Sequence, residues 1–336
     1  GVDLRLEVTP GPHFRVVWQG LRAMPEESLL AALRLPEERS FDEATLTSLT
    51  VRVQDYYARR GFYDAQVRVI VTDAGPNERL VRFTVREGSQ VFTRHMNFAG
   101  ATVFSQSELR ANVEAVVAAE LPDEPRLLRG RIDRERTYTA AAYSTAAQRL
   151  VQRYRDSGYL DATVEVAPVT RVPAAQSAAP ALDVTFRVTE GTQTFLEELT
   201  FEGNRAQSSA SLSGIWDMRL GVALSYRAIE EARVRLTDHF REEGYAFARV
   251  EPAIVRSADH TRARVEVSVH EGPRVRVGHI DVRGNEDTLE SVVRGRRAFT
   301  EGDIYRGSAL RTSQRRLGEL GVFAGINIGF EDPDVE

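Results

Sequence analysis

The sequence predicts an α+β chain, a tandem repeat of βααββ modules, each a three-stranded mixed sheet packed on two helices. Three observations lead there. A block opening on Gly and an aromatic recurs as GFYDAQVRV from Gly61, GYLDATVEV from Gly158 and GYAFARVEP from Gly244. A second block aligns without a gap as EGSQVFTRHMNFAGA from Glu87, EGTQTFLEELTFEGN from Glu190 and EGPRVRVGHIDVRGN from Glu271. Between the blocks the apolar period switches from about 3.6 residues to 2, the change from helix to strand. Recurrence in fixed order is the mark of a repeat architecture.

Each unit opens with a strand directly after Glu-Gly. Phe195, Leu199 and Phe201 carry it in one copy, and Val275, Val277, Ile280 and Val282 in the last. Gly203-Asn204 and Gly284-Asn285 then turn the chain into a first helix; unit two has Gly100-Ala101 there and unit one Gln19-Gly20. Leu109, Val113 and Val116 give that helix its spacing, and Asp287 to Val293 opens its counterpart in the last unit. The second helix precedes the Gly-aromatic step. Val53, Tyr56 and Tyr57 mark its apolar face in unit one, Leu150, Val151 and Tyr154 in unit two, and Val234, Leu236 and Phe240 in unit three. Gly61, Gly158 and Gly244 fall at the helix C-cap, where a left-handed residue ends the helix and Gly carries no Cβ penalty.

The aromatic starts a strand that alternates. Ala65, Val67, Val69 and Val71 face one way; Gln66, Arg68 and Thr72 face the other. A turn from Asp73 to Glu78 leads into LVRFTVREG, so the last two strands form an antiparallel hairpin. ALDVTFRVTEG and RARVEVSVHEG are its equivalents. Gly88, Gly191 and Gly272 end the hairpins and are the seams between modules. They divide the chain into residues 1–11, the last strand of a preceding module; 12–88; 89–191, lengthened by insertions at 120–131 and 172–181; 192–272; and 273–336, a module without its last strand.

Composition narrows the function. All 44 basic residues are Arg, and 49 acidic residues leave a formal net charge of −5. A general nucleic-acid binder needs a basic surplus or face, so no nucleic-acid partner is expected. The absence of Cys excludes thiol catalysis and thiolate metal sites. No apolar run approaches the ~18 residues of a spanning helix. Six histidines are scattered, with no pair at the i, i+3 or i, i+4 spacing of a zinc site. No phosphate-binding or nucleophile-elbow motif occurs. Adjacent pairs such as Glu230-Glu231 and Glu242-Glu243 point apart on a helix and make poor acid–base dyads. The basic run RGRRAFTEG from Arg294 has the chemistry to touch phospholipid head groups or nucleic acid, but reads first as a solvated loop. No enzyme, metal or cofactor is expected.

The ordered set of Gly-aromatic step, Glu-Gly hairpin end and Gly-Asn turn resembles a row of POTRA domains over nearly the whole chain. The closing LGELGVF resembles the helix-to-strand step of the POTRA next to the barrel in BamA-like and TamA-like outer-membrane proteins. The resemblance implies the periplasmic face of a Gram-negative outer membrane. It implies a C-terminal membrane barrel in the full-length chain, unfolded outer-membrane proteins as clients, and accessory assembly proteins or lipoproteins as partners. A two-partner secretion, autotransporter-assembly or lipid-transport barrel is the alternative.

Physics suggests how such a module would act. If the closing strand is central, the other two are edges with unpaired N–H and C=O groups. An edge accepts an extended peptide through main-chain bonds, tolerant of sequence. The second strand of each unit is the expected edge, marked by Asp64, Gln66, Val67, Arg68, Val69 and Ile70 in unit one, Thr163 and Glu165 in unit two, and Phe247 and Arg249 in unit three. Pro168 and Pro252 blunt the later copies, which leaves unit one the better edge.

Overall fold

The computed structural model describes residues 13–35, 42–75, 78–121, 137–172 and 180–330. The sequence expectations for residues 1–11, 120–131 and 172–181 therefore lie wholly or mostly outside the described residues. Contacts divide the chain into two compact units, Gly1–Arg153 with Ala162–Glu190, and Tyr154–Asp161 with Gly191–Glu336.

Module one runs β1 (His13–Gln19), α1 (Glu26–Leu33), α2 (Glu43–Ala58), β2 (Gln66–Gly75) and β3 (Glu78–Arg86). Its sheet order is β1-β3-β2, with β1 parallel and β2 antiparallel to the central β3. The parallel pair requires a crossover, which the two helices supply. Val81, Phe83 and Val85 of β3 alternate into a core closed by Leu29, Leu33, Leu49, Val53 and Tyr57. Asp42 caps α2, accepting from the Thr45 amide at 2.8 Å.

Module two repeats the order with β4 (Phe92–Ala99), α3 (Gln106–Glu120), α4 (Ala140–Asp156), β5 (Thr163–Val166), β6 (Thr170–Arg171) and β7 (Ala181–Thr189). The sheet is β4-β7-β5, with β6 also pairing β7. The second strand expected through Thr163 and Glu165 is thus short and followed by a separate β6, and this module has four strands rather than three. Pro168 stands in the break and can donate no ladder bond. In α3 the buried stripe is Leu109, Val113 and Val117, at i, i+4, i+8; Val116 lies one position off it, half-buried.

Module three comprises β8 (Phe195–Glu202), α5 (Ser209–Trp216), α6 (Tyr226–Glu242), β9 (Arg249–Arg256) and β10 (Arg262–His270), in sheet order β8-β10-β9. Its core holds Trp216, Leu236, Phe240, Val265 and Val267. Val234, expected inside, is 44% exposed, because α6 buries Ile229, Ala232, Leu236 and Phe240 instead.

Module four contributes α7 (Glu290–Gly295) and α8 (Gly307–Gly318). The strand predicted through Val275, Val277, Ile280 and Val282 does not form; an isolated bridge of Arg276 with Ile304 stands in its place. In the other modules the opening strand bonds to the closing strand, and no closing strand is present among the described residues of this one.

Candidate functional site

Three structural devices recur from module to module. The first device is the helix stop. The amides of Phe62 and Tyr159 donate to the carbonyls of Tyr57 and Tyr154 at 3.1 and 3.0 Å, and those of Gly61 and Gly158 to Ala58 and Arg155 at 3.1 Å. This is the Schellman bond pair, with Gly at the left-handed position. Gly61, Gly158 and Gly244 have φ of +84°, +91° and +104°. The apolar contact that accompanies the motif is an edge-on aromatic pair every time: Tyr57–Phe62, Tyr154–Tyr159 and Phe240–Tyr245, at 5.9, 6.1 and 5.9 Å.

The second device joins each helix stop to the residues after a seam. The carbonyls of Gly61, Gly158 and Gly244 accept from the amides of Val91, Thr194 and Val275 at 2.9, 2.8 and 2.9 Å. The side chains of Gln90, Gln193 and Arg274 donate to the preceding carbonyls of Arg60, Ser157 and Glu243 at 3.0, 2.9 and 2.8 Å. Val91, Thr194 and Val275 in turn accept from Tyr138, Leu224 and Tyr305, two residues before a second helix. A Cβ on Gly61 would lie 2.4 Å from Thr137, and one on Gly158 3.0 Å from Ala223. The helix-stop glycine therefore also makes room for the next module. The seam residues Gly88, Gly191 and Gly272 share φ near +70°, at +71°, +72° and +67°.

The third device was hidden in the sequence. The Glu before each seam glycine accepts backbone amides from the loop after the first strand. Glu87 accepts from Ala23 at 2.8 Å and Met24 at 3.3 Å, and also from the Tyr57 hydroxyl at 2.8 Å. Glu190 takes Thr102 and Val103 at 2.8 and 2.9 Å; Glu271 takes Arg205 and Ala206, both at 2.8 Å. Burial and the Glu87 carboxylate together push the Tyr57 hydroxyl far above its ordinary pKa. The only sequence signal is a Glu at a constant offset; the amides it accepts from lie 63 to 88 residues away.

The predicted edge residues are distributed as follows. Gln66, Val67, Arg68, Val69 and Ile70 lie on β2, an edge strand that pairs with β3 alone among the described residues. Thr163 and Glu165 lie on β5, which is four residues long. Arg249 opens β9, where Pro252 sits mid-strand opposite Val267. Asp64 and Phe247 precede their strands. They occupy one repeated position, three residues after the helix-stop glycine, together with Asp161. Asp64 forms an ion pair with Arg171; Asp161 pairs with Arg256 at 2.7 Å and with His260 at 2.9 Å; the Phe247 ring packs on Phe330 at 4.9 Å. The hydrogen bond from Arg256, then that from His260, holds the Asp161 carboxyl below its usual pKa. These three side chains are engaged with the following module and are not part of an open edge. The six histidines form no cluster with other ligating groups among the described residues, and no described helix is long and apolar enough to cross a membrane.

Comparison with known proteins agrees with this repeat. The POTRA family model, described as a surface antigen variable number repeat, matches residues 15–88, 92–191, 195–272 and 275–336. The outer membrane protein assembly factor BamA of Nitratidesulfovibrio vulgaris is 23% identical over 337 residues, covering 97% of this chain and 40% of that protein. BamA of Neisseria meningitidis is 20% identical over 300 residues, covering 88% and 36%. The chain thus spans well under half the length of these relatives. Among solved structures, POTRA3-5 of Haemophilus influenzae BamA is similar at 20% identity and a TM-score of 0.48, covering 70% of this chain and 88% of that one. With four consecutive family matches laid over the repeated helix stops and seams, the chain belongs to the POTRA family and is a tandem array of POTRA domains of the BamA-like kind.

Proposed function

We propose that this array is the periplasmic part of an outer-membrane protein assembly factor, and that β2 of module one receives extended segments of unfolded outer-membrane proteins by main-chain pairing. The observation that supports this most is the outer side of β2. It is ten residues long, contains no Pro, and pairs on one side only among the described residues. β5 is short, and β9 carries Pro252. Main-chain pairing suits a receptor for many clients, since the backbone does the bonding whatever the side chains. A membrane barrel beyond the residues given and accessory assembly proteins or lipoproteins complete the reading, by analogy with the relatives named BamA.

Binding of a labelled peptide with the apolar–polar alternation of a barrel strand, followed by fluorescence anisotropy, tests it. N–H groups alternate sides along an antiparallel strand, so one of Val69→Pro and Ile70→Pro removes an outward donor. That variant is expected to keep its far-ultraviolet spectrum and lose the peptide, while Val255→Pro in β9 binds normally. Unchanged binding by both β2 variants overturns the assignment.

A further inference from the structure

The solvent face of the module-one sheet differs from its two counterparts. Phe14, Val16 and Trp18 of β1 and Val67, Val69 and Val71 of β2 pack on the core, so the alternate residues face out. In register they form three rows across the sheet: Arg15, Leu80 and Thr72; Val17, Arg82 and Ile70; Gln19, Thr84 and Arg68. Arg86 follows, opposite Gln66. Arg15, Arg68, Arg82 and Arg86 thus share one face. None of the four has a carboxylate partner among the described residues. Among the described residues of these strands the one carboxylate on that face, Glu78, stands at the hairpin end opposite His13.

The other modules neutralise the same face. In module two, Arg94 pairs with Asp183 at 2.9 Å, and Arg187 stands opposite Glu165. In module three, Arg264 pairs with Glu198 at 2.6 Å and with Glu266 at 3.4 Å. Two further features single out module one. The Arg82 Nε is buried and has no hydrogen-bond partner, so a charged donor at the centre of the face is left unanswered. Its register neighbours Val17 and Ile70 are apolar, and Ile70 is 43% exposed.

We propose that this face docks an acidic protein surface. Guanidinium forks match carboxylates two bonds at a time. Apolar groups set among arginines resemble a protein interface, in which Arg and large apolar side chains are enriched. The three strands and their outward rows span roughly 14 Å by 20 Å, about a third of what one partner gives to a standard interface of ~800 Å² a side. The contact is therefore weak, fast and sensitive to salt. It is separate from the strand-addition edge: it uses side chains of all three strands, whereas strand addition uses only the backbone of β2.

The test uses the whole chain with labelled poly-L-glutamate as probe, beside phosphatidylglycerol vesicles, at low and at physiological salt. The variant Arg15→Gln/Arg82→Gln/Arg86→Gln leaves β2 untouched. It should weaken poly-glutamate binding by about tenfold, three charge contacts at about half a kcal/mol each, and should leave barrel-strand peptide binding unchanged. A control removing exposed arginines of module four, Arg306→Gln/Arg315→Gln/Arg316→Gln, should leave poly-glutamate binding as it is. Equal loss in the control, no loss in the module-one variant, or binding of vesicles without binding of poly-glutamate each overturns the proposal; the last assigns the face to a membrane.

Discussion

Two glycines of module three separate the cost of a left-handed backbone from the cost of a blocked one. Gly203 (φ +80°) and Gly221 (φ +79°) share nearly one conformation. A Cβ on Gly221 would meet nothing within 4 Å; one on Gly203 would lie 2.4 Å from the carbonyl oxygen of Val269 on the central strand. Gly221→Ala should therefore cost only the left-handed term, about 1–2 kcal/mol. Gly203→Ala adds an overlap that no side-chain rotation relieves, because the obstacle is backbone. Overpacking of that kind costs a further ~1–3 kcal/mol, so the total is about 2–5 kcal/mol. A module of this size has a stability of roughly 5 kcal/mol and a urea slope near 1 kcal/mol/M. Gly221→Ala should move the midpoint down by ~1–2 M, and Gly203→Ala by ~2 M or more, up to loss of the folded module. Trp216, fully buried in this core, reports the transition in a Trp18→Phe background, which leaves it the only tryptophan. Equal losses in the two variants would refute the reasoning, since they would mean that the close approach to Val269 contributes nothing.

Two further outcomes follow from buried polar groups. Glu87→Ala strips a buried acceptor from two amides and the Tyr57 hydroxyl, and should destabilise module one by about 2–4 kcal/mol; Glu271→Ala, whose amides reach water, should cost under ~1 kcal/mol. Fluorescence of Trp18 and of Trp216 reads the two modules separately. Burial pushes the Tyr143 hydroxyl up to about 12, whereas an unfolded tyrosine titrates at ~10. The folded state holds that proton more tightly, so its contribution is complete below pH ~10 and is lost as pH rises through about 12. The urea midpoint of module two should fall over that window, and Tyr143→Phe should flatten the fall.

Much of this fold is legible from local signals. The helix-stop glycines, the following aromatics and the alternating hairpins all report chemistry within a few residues, and the repeat multiplies each weak signal. What escaped depends on distant partners. The Glu in each Glu-Gly looked like a hairpin end because its amides lie across the module. Val116 and Val234 fit a helical spacing by themselves, but neighbouring buried residues set the true stripe. The opening strand expected in module four is rich in Val and Ile but does not form, because a parallel strand needs its partner. Asp64 and Phe247 fit the start of an edge by sequence alone, yet their position, shared with Asp161, is spent on the next module. The basic sheet face is readable only once register places Arg15, Arg82 and Arg68 side by side.

The joint between modules has a consequence beyond mechanics. In its recurring bonds a backbone amide donates to the glycine carbonyl and a second amide donates to that residue's own carbonyl, at Gly61, Gly158 and Gly244 alike. Main-chain atoms are the same in every residue, so the connection asks little of the side chains on either side. The partners at Asp64, Asp161 and Phe247 differ in kind, ionic in two places and aromatic in the third, and the backbone joint persists beneath them. A gene built on such a connector can lengthen, shorten or exchange its repeats without having to co-evolve two matching surfaces.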